Sequence, residues 1–223
     1  MKRIIKGSEP PCLLQYRQTN DAKYDNYRPK EPLKKALLEE QGYICCYCMQ
    51  RISIDDMEIE HNKAQNENCY PELQLDYKNL LASCTGNRGK GLKNFHCNAR
   101  KGYYEGKNIN YTITLNPADS NKNCEHYIKY SSTGKLLSAS DDETINRELN
   151  EILNLNHQNL IDNRKIALDV IIHVLNKKFS NKTWSKEAIK KKVEELSSKD
   201  AEGKYSPYCQ YIAWYLTKRL NNP

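Results

Sequence analysis

Between Cys45 and Lys101 the chain sets out a run of residues able to bind metal and do hydrolytic work. In order they are Cys45-Cys46-Tyr47-Cys48, Ile59-Glu60-His61, Asn79-Leu80-Leu81, Cys84 and His96-Cys97-Asn98-Ala99-Arg100-Lys101. Two cysteines at x2 spacing share one zinc ion from a single turn, and Cys45 and Cys48 meet that spacing. Cys84 and Cys97 supply the other two sulfurs, with twelve residues between them, as if a loop had been inserted into a second knuckle. Cys46 stays outside the set, and His96 in place of Cys97 is the alternative fourth ligand.

Glu60-His61 sets a hard carboxylate oxygen beside an imidazole whose pKa is ordinarily about 6.5. Such a pair is suited to holding Mg²⁺ or Mn²⁺ and activating a water. Strict strand alternation would send the two side chains to opposite faces, so the strand must end or bend at His61 for both to serve one site. Asn79 can pin a loop through backbone hydrogen bonds. Asn98, at the start of a helix, offers an amide oxygen to a metal, and Lys101, three residues on, shares its face and could meet a phosphate. Arg88, Lys90, Lys93 and Arg100 make the neighbouring segment basic, as Lys107 does beyond it, which suits contacts to a nucleic-acid backbone. Gly86-x2-Gly89-Lys90 lacks the GxxxxGK[ST] spacing of a phosphate loop, so no ATP site is expected in this chain.

The elements that must position these residues follow from periodicity and punctuation. Residues 1 to 31, rich in Tyr and broken by prolines, read as an irregular arm. Leu33, Ala36, Leu37 and Leu38, stopped by Gly42, predict a short amphipathic helix leading to the first cysteines. A strand is expected through Met57 and Ile59, and an apolar run from Asn79 to Ser83. A helical turn is expected from His96. Ile109, Tyr111, Ile113 and Leu115 alternate like a strand, and a hairpin should close at Thr133-Gly134. Beyond Ser140-Asp141-Asp142-Glu143, a capping sequence, the pattern is helical. The apolar sets are Ile145/Leu149/Ile152/Leu153, Ala167/Val170/Ile171/Val174, Ala188/Ile189/Val193/Leu196, and Tyr211/Ile212/Tyr215/Leu216 between Pro207 and Leu220.

Bulk properties agree with this plan. The chain has 223 residues and a formal net charge of +7, favouring an acidic partner. Mean hydropathy is −0.88, and aromatic burial leans on 16 Tyr against two Phe and two Trp. No stretch reaches the ~20 apolar residues of a membrane span, and Met1 to Lys6 lacks the apolar core of a signal peptide, so a cytoplasmic place is expected. Nine cysteines, an odd number, favour metal ligation over a disulfide framework. Cys12, Cys69, Cys124 and Cys209 stand apart as ordinary small buried or half-buried residues.

Cys-x2-Cys, Glu-His, Asn-Leu, Cys and Cys-Asn-x2-Lys together resemble the HNH (ββα-metal) endonucleases that carry structural zinc. Further likeness extends over most of the chain: Ser83-Cys84-Thr85-Gly86, His96 to Gly102, Leu115-Asn116-Pro117, His126-Tyr127-x2-Tyr130 with Gly134, Glu143-Thr144-Ile145, Leu153-Asn154-Leu155-Asn156 and Arg164. These resemble the HNH subunit (PtuB type) of Septu anti-phage systems, a group that also accompanies certain retrons. Many HNH proteins carry an apolar residue and a proline after the histidine, where this chain has Asn62-Lys63-Ala64. The resemblance implies His61 as general base, Asn79 ordering the site, Glu60 and Asn98 as Mg²⁺ contacts, and zinc on the four cysteines. It also implies an ABC-type ATPase partner, with a retron reverse transcriptase and its DNA in some settings. The stripe Tyr205, Tyr208, Tyr211, Trp214 and Tyr215 is the expected docking surface. The expected fold is α+β: an arm and helix over 1–42, a zinc-stapled ββα-metal core over 43–140, and a helical lobe over 141–223. The expected function is phosphodiester hydrolysis with DNA slightly favoured over RNA or tRNA. The alternative is a zinc-dependent nucleic-acid-binding or structural adaptor without cleavage.

Overall fold

A computed structural model describes residues 1–65, 69–105, 112–179 and 184–221. Helix α1 (Pro11–Arg17) and a 3-10 turn (Tyr24–Asn26) form within the arm, which is thus less irregular than its prolines suggest. Their apolar residues explain this: Leu13, Tyr24 and Tyr27 are buried together with Met1 and Ile4 in the same core as the rest of the chain. Helix α2 (Glu31–Gln41) buries Leu33, Leu37, Leu38 and Gln41 along one stripe. Gly42 ends it in the left-handed region, φ 61°. A Cβ there would lie 2.5 Å from the Tyr205 ring, so glycine is needed for space as well as conformation.

Strands β1 (Met57–His61) and β2 (Leu80–Cys84) pair antiparallel, with Met57 opposite Cys84 and His61 opposite Leu80. All five β2 residues are buried, which alternation permits only when both faces of a strand are covered. Helices α2 and α3 (Cys97–Glu105) both pack against it. The buried Gln41 side chain acts as a stand-in strand edge. Its amide donates to Ala82 O at 2.8 Å and accepts from Ala82 N at 2.7 Å.

The second hairpin, β3 (Ile128–Tyr130) with β4 (Leu136–Ser138), turns through Gly134 as expected. Ile109 and Tyr111 of the expected strand lie outside the described residues. Ile113 and Leu115 are buried without strand pairing. The fully buried Glu148 carboxylate takes over the role of a neighbouring strand, accepting from Thr114 N at 2.7 Å and Leu115 N at 3.4 Å. Asp142 caps α4 (Glu143–Arg147), which runs into a π-turn (Glu148–Ile152). Then follow α5 (Gln158–Lys178), α6 (Lys186–Ser197) and α7 (Cys209–Asn221). α7 packs on α5, α6 and β3.

Two corrections concern the helical part. On α5 the stripe Leu160, Arg164, Leu168 and Leu175 faces inward, while Ile166, Val170 and Val174 are 61%, 57% and 52% exposed. The helix carries two apolar stripes, and the one containing Val170 and Val174 is the outer. The aromatic stripe expected to dock a partner is partly interior, with Tyr205, Trp214 and Tyr215 half-buried. Tyr208 and Tyr211 are buried, and Tyr211 stacks on Trp214 and packs against Tyr130. With mixed helix and strand, small sheets and a helical C-terminal part, the fold is α+β. Among the described residues no helix is long and apolar enough to cross a membrane.

Candidate functional site

Backbone turns bring the sulfurs together. The Ile44–Arg51 bridge closes the first knuckle, Cys45 N bonds Gln50 O at 2.9 Å, and Met49 takes a left-handed φ of 65° so the chain reverses beside Cys48. Cys46 N bonds Ala82 O, which ties this knuckle to β2. The second knuckle closes where His96 N meets Gly86 O at 3.0 Å, so residues 87–95 form a loop carried between its two halves. Gly86 has φ 61°, and a Cβ there would lie 2.0 Å from His96 O. No other residue fits.

Cys45, Cys48, Cys84 and Cys97 are all buried, and their sulfurs lie within 4.8 Å of one another. Cys48 and Cys84 Sγ are 3.9 Å apart. Tetrahedral Zn²⁺ with bonds of about 2.3 Å requires edges of roughly 3.8 Å, so the donor set and its size could accommodate zinc. Cys46 is outside the group, and burial pushes its thiol well above the ordinary value. Within the group, burial acts to raise Cys45, but hydrogen bonds from neighbouring thiols outweigh it and hold this thiol well below the ordinary value. Burial and the same neighbours push Cys97 up. Cys97, not His96, completes the group. His96 lies against it, Nδ1 3.2 Å from Cys97 Sγ, and burial lowers its pKa to about 4.

Helix α3 starts at Cys97, so the thiol cluster fixes where its side chains meet β1. Glu58 and Glu60 point to the α3 side of the strand, as alternation requires. Glu60 is buried and its Oε1 takes Lys101 Nζ at 2.8 Å and Tyr47 OH at 2.7 Å. Lys101, expected to reach a phosphate, is fully buried instead and also donates to His61 O at 2.8 Å. Asn98 Nδ2 donates to Glu58 Oε2 at 2.6 Å. Arg88 makes a two-pronged pair with the same carboxylate, at 2.9 and 3.0 Å. Glu58 was not singled out by the sequence; its signal was simple alternation with Glu60, two residues away on one face.

His61 ends the strand, paired with Leu80, and its imidazole contacts Tyr24 and Gln74 rather than the Glu60 carboxylate. Its ring meets Tyr24 edge-on, with centroids 4.5 Å apart, and its Nε2 lies 2.9 Å from Gln74 O. A carbonyl only accepts, so Nε2 carries the proton and Nδ1 the lone pair. Burial pushes the imidazole below its ordinary pKa, against the upward pull of the Gln74 carbonyl and Glu60. Asn79 pins the loop after His61: its Oδ1 accepts from Lys63 N at 2.8 Å, and its Nδ2 donates to Lys63 O and Leu73 O at 3.0 and 3.1 Å. Of the remaining basic residues, Lys90 and Lys93 are exposed on the inserted loop, and Arg100 donates to Glu151 O and Leu92 O. Lys107 lies outside the described residues.

A hairpin and helix stapled by four thiols, carrying a backbone-held histidine, carboxylates and an amide, define the class of site. The chain is similar to the candidate HNH endonuclease of retron Vc95 from Vibrio cholerae serotype O1 biovar El Tor, 36% identical over 56 residues, or 25% of this chain and 27% of that protein. It is likewise similar to the Septu protein PtuB of Bacillus thuringiensis, 34% identical over 89 residues, or 38% of this chain and 30% of PtuB. The matched stretches therefore span less than a third of either relative. No protein-family model matches the chain. Both relatives agree with the resemblance to HNH proteins of the PtuB type.

Proposed function

We propose that this chain is a metal-dependent endonuclease of the HNH (ββα-metal) type, the cleaving subunit of an anti-phage complex with an ABC-type ATPase. In a retron setting, a reverse transcriptase and its DNA would join that complex. The observation that carries this reading is the His61 ring, held by the Gln74 carbonyl so that Nδ1 is left as a base, on the hairpin-and-helix unit that the four thiols clamp. Cys45, Cys48, Cys84 and Cys97 would hold structural zinc. Asn98 and a β1 carboxylate would hold the catalytic ion: Glu60 by the resemblance, Glu58 by its contact with Asn98. Both carboxylates already carry protein partners, Lys101 and Tyr47 on Glu60 Oε1 and Arg88 on both oxygens of Glu58, so the contact with Asn98 is the ground for Glu58.

In the proposed reaction, neutral His61 takes a proton on Nδ1 from a water, whose oxygen attacks the phosphodiester phosphorus as the 3′-oxygen leaves. Mg²⁺ or Mn²⁺, when bound, supplies charge neutralisation at the phosphate. Asn79 anchors Lys63 and Leu73, and with Leu73 the nearby Gln74 carbonyl that orients the base. Arg88, Lys90, Lys93 and Arg100 would contact the backbone of DNA, or of RNA, while Lys101 supports the site from inside.

The test is cleavage of DNA and RNA by the chain co-expressed with its ATPase partner, wild type against His61→Ala. A positioned general base contributes about 10²- to 10⁴-fold, so the variant should lose at least 10²-fold in rate while keeping its zinc and its nucleic-acid affinity. Cleavage at the wild-type rate would remove His61 from the mechanism.

A further inference from the structure

Arg164 lies on the inward stripe of α5 and is 1% exposed. Its Nε donates to Gly134 O at 2.6 Å and its Nη2 to Leu155 O at 2.8 Å. Both partners are neutral, and among the described residues no Asp or Glu forms an ion pair with it. A guanidinium does not shed its proton in a protein, so its charge remains inside. A buried charge without a counter-charge is costly, and chains that keep one supply a partner. Among the described residues, Tyr130, Cys48, Tyr208 and Cys97 lie near enough to act on its charge. A phenol, whose pKa is ordinarily about 10, stays neutral at physiological pH, whereas a cysteine that binds metal is a thiolate. The two cysteines remain.

Both belong to the thiol cluster, and the backbone joins them to Arg164. Residues 153–155 lie between: Leu153 O accepts from Cys97 N at 2.8 Å, Asn154 Nδ2 donates to Phe95 O at 2.8 Å, and Leu155 O accepts from Arg164. On the other knuckle, Tyr208 N bonds Met49 O at 3.0 Å, next to Cys48. Four thiolates around one Zn²⁺ leave a surplus of two negative charges in the interior. The centre and the guanidinium therefore lack a counter-ion for the same reason, and each is placed to serve the other.

We propose that Arg164 is the internal counter-ion of the tetrathiolate metal centre, a positioning residue through which the helical part of the chain sets the strength of metal binding. This rests on the reading of the four cysteines as a zinc site. Partners just outside a metal's ligands typically govern 10- to 100-fold in affinity.

The experiment loads the full chain with Zn²⁺ and follows its transfer to a chromophoric chelator, for wild type, Arg164→Lys, Arg164→Gln and Arg164→Met. A counter-ion role predicts that Gln and Met lose zinc about 10- to 100-fold more readily, while Lys stays within about threefold of wild type. A purely hydrogen-bonding role toward Gly134 O and Leu155 O predicts that Gln, which keeps donors, holds zinc better than Lys. In the Co²⁺-loaded chain, the thiolate-to-metal charge-transfer band should move to lower energy in Gln and Met and stay in place in Lys. Wild-type zinc transfer by Arg164→Gln, or an unmoved band in it, overturns the counter-ion. A wild-type chain that retains no zinc overturns the cysteine reading beneath it, a different and separately visible result.

Discussion

Replacing Lys101 by Met would strand the Glu60 carboxylate in the interior. The Lys101 and Glu60 side chains are 0% and 3% exposed and 2.8 Å apart. Removing one member of such a buried pair costs about 3–5 kcal/mol, because the other charge is left without its partner. Two smaller effects act in opposite directions. Tyr47 OH still donates to Glu60 Oε1, an interaction with a charged acceptor that contributes roughly 1.5–3 kcal/mol. The His61 carbonyl loses the Lys101 donor, a change of about 1–3 kcal/mol for a buried acceptor left unpaired. They nearly cancel, so the expected loss stays at about 3–5 kcal/mol. For a chain of this length, 1 kcal/mol moves Tm by about 2–4 °C, so Lys101→Met should melt roughly 6–20 °C below wild type. The measurement is thermal unfolding followed by circular dichroism with zinc in excess. Adding Glu60→Gln to Lys101→Met removes the stranded charge and should restore about 2 kcal/mol or more. A Lys101→Met melt within ~2 °C of wild type, or no rescue by Glu60→Gln, would refute the buried pair. It would also return Glu60 to the front rank for the catalytic ion.

Three further outcomes follow from the geometry. Cys84→Ser should carry well under one zinc per chain by elemental analysis, and chelation of the wild type should expose amides of residues 45–101 to hydrogen exchange before those of α5 to α7. Gly86→Ala should lose zinc where Gly89→Ala keeps it: both positions have positive φ, a strain of about 1–2 kcal/mol for a residue with a Cβ, but only the Gly86 Cβ meets a backbone oxygen, whereas nothing lies within 4 Å of the Gly89 Cβ. Burial holds His61 below its ordinary value, so the ring stays neutral as pH falls through about 6.5, and the acid limb of the cleavage profile should lie below that pH; a limb above it would mean that the titrating group is not this buried imidazole.

The sequence made the thiol site legible because ligand spacing is a local property. Cys45 and Cys48 alone are a weak signal, and Cys84 with Cys97 turns them into a four-thiol group whose sulfurs the fold brings within 4.8 Å of one another. The helix stop and hairpin were legible for the same reason: Gly42 and Gly134 occupy left-handed backbone, φ 61° and 86°, which favours glycine. What stayed hidden were choices between chemically equivalent partners. Lys101 and Arg88 are both basic residues near the site, yet Lys101 is drawn inside by Glu60 while Arg88 stays out on Glu58, and no spacing rule separates them. Val170 and Leu168 are both apolar on one helix, and only the packing of α7 decides which stripe is inner.

Glu148 and Gln41 make the same point about backbone. Each satisfies amides that periodicity assigns to a strand partner, Glu148 for Thr114 and Leu115 and Gln41 for Ala82. A side chain two or more elements away thus replaces a strand edge that the alternating pattern leads one to expect. The consequence for function is that the β1–β2 hairpin is held on one side by Gln41 and on the other by α3, whose origin the Cys97 thiol fixes. Motion of that thiol would displace Asn98 relative to Glu58 and Lys101 relative to Glu60 together, because both contacts share one helix start. Loss of metal from the thiols should therefore abolish ion binding at the carboxylates and the buried pair in one step, whereas Glu58→Gln should weaken Mn²⁺ binding and leave zinc in place. Mn²⁺ affinity measured calorimetrically in the zinc-loaded Glu58→Gln chain decides the matter: unchanged affinity would show that Glu58 positions Asn98 and Arg88 without touching the ion.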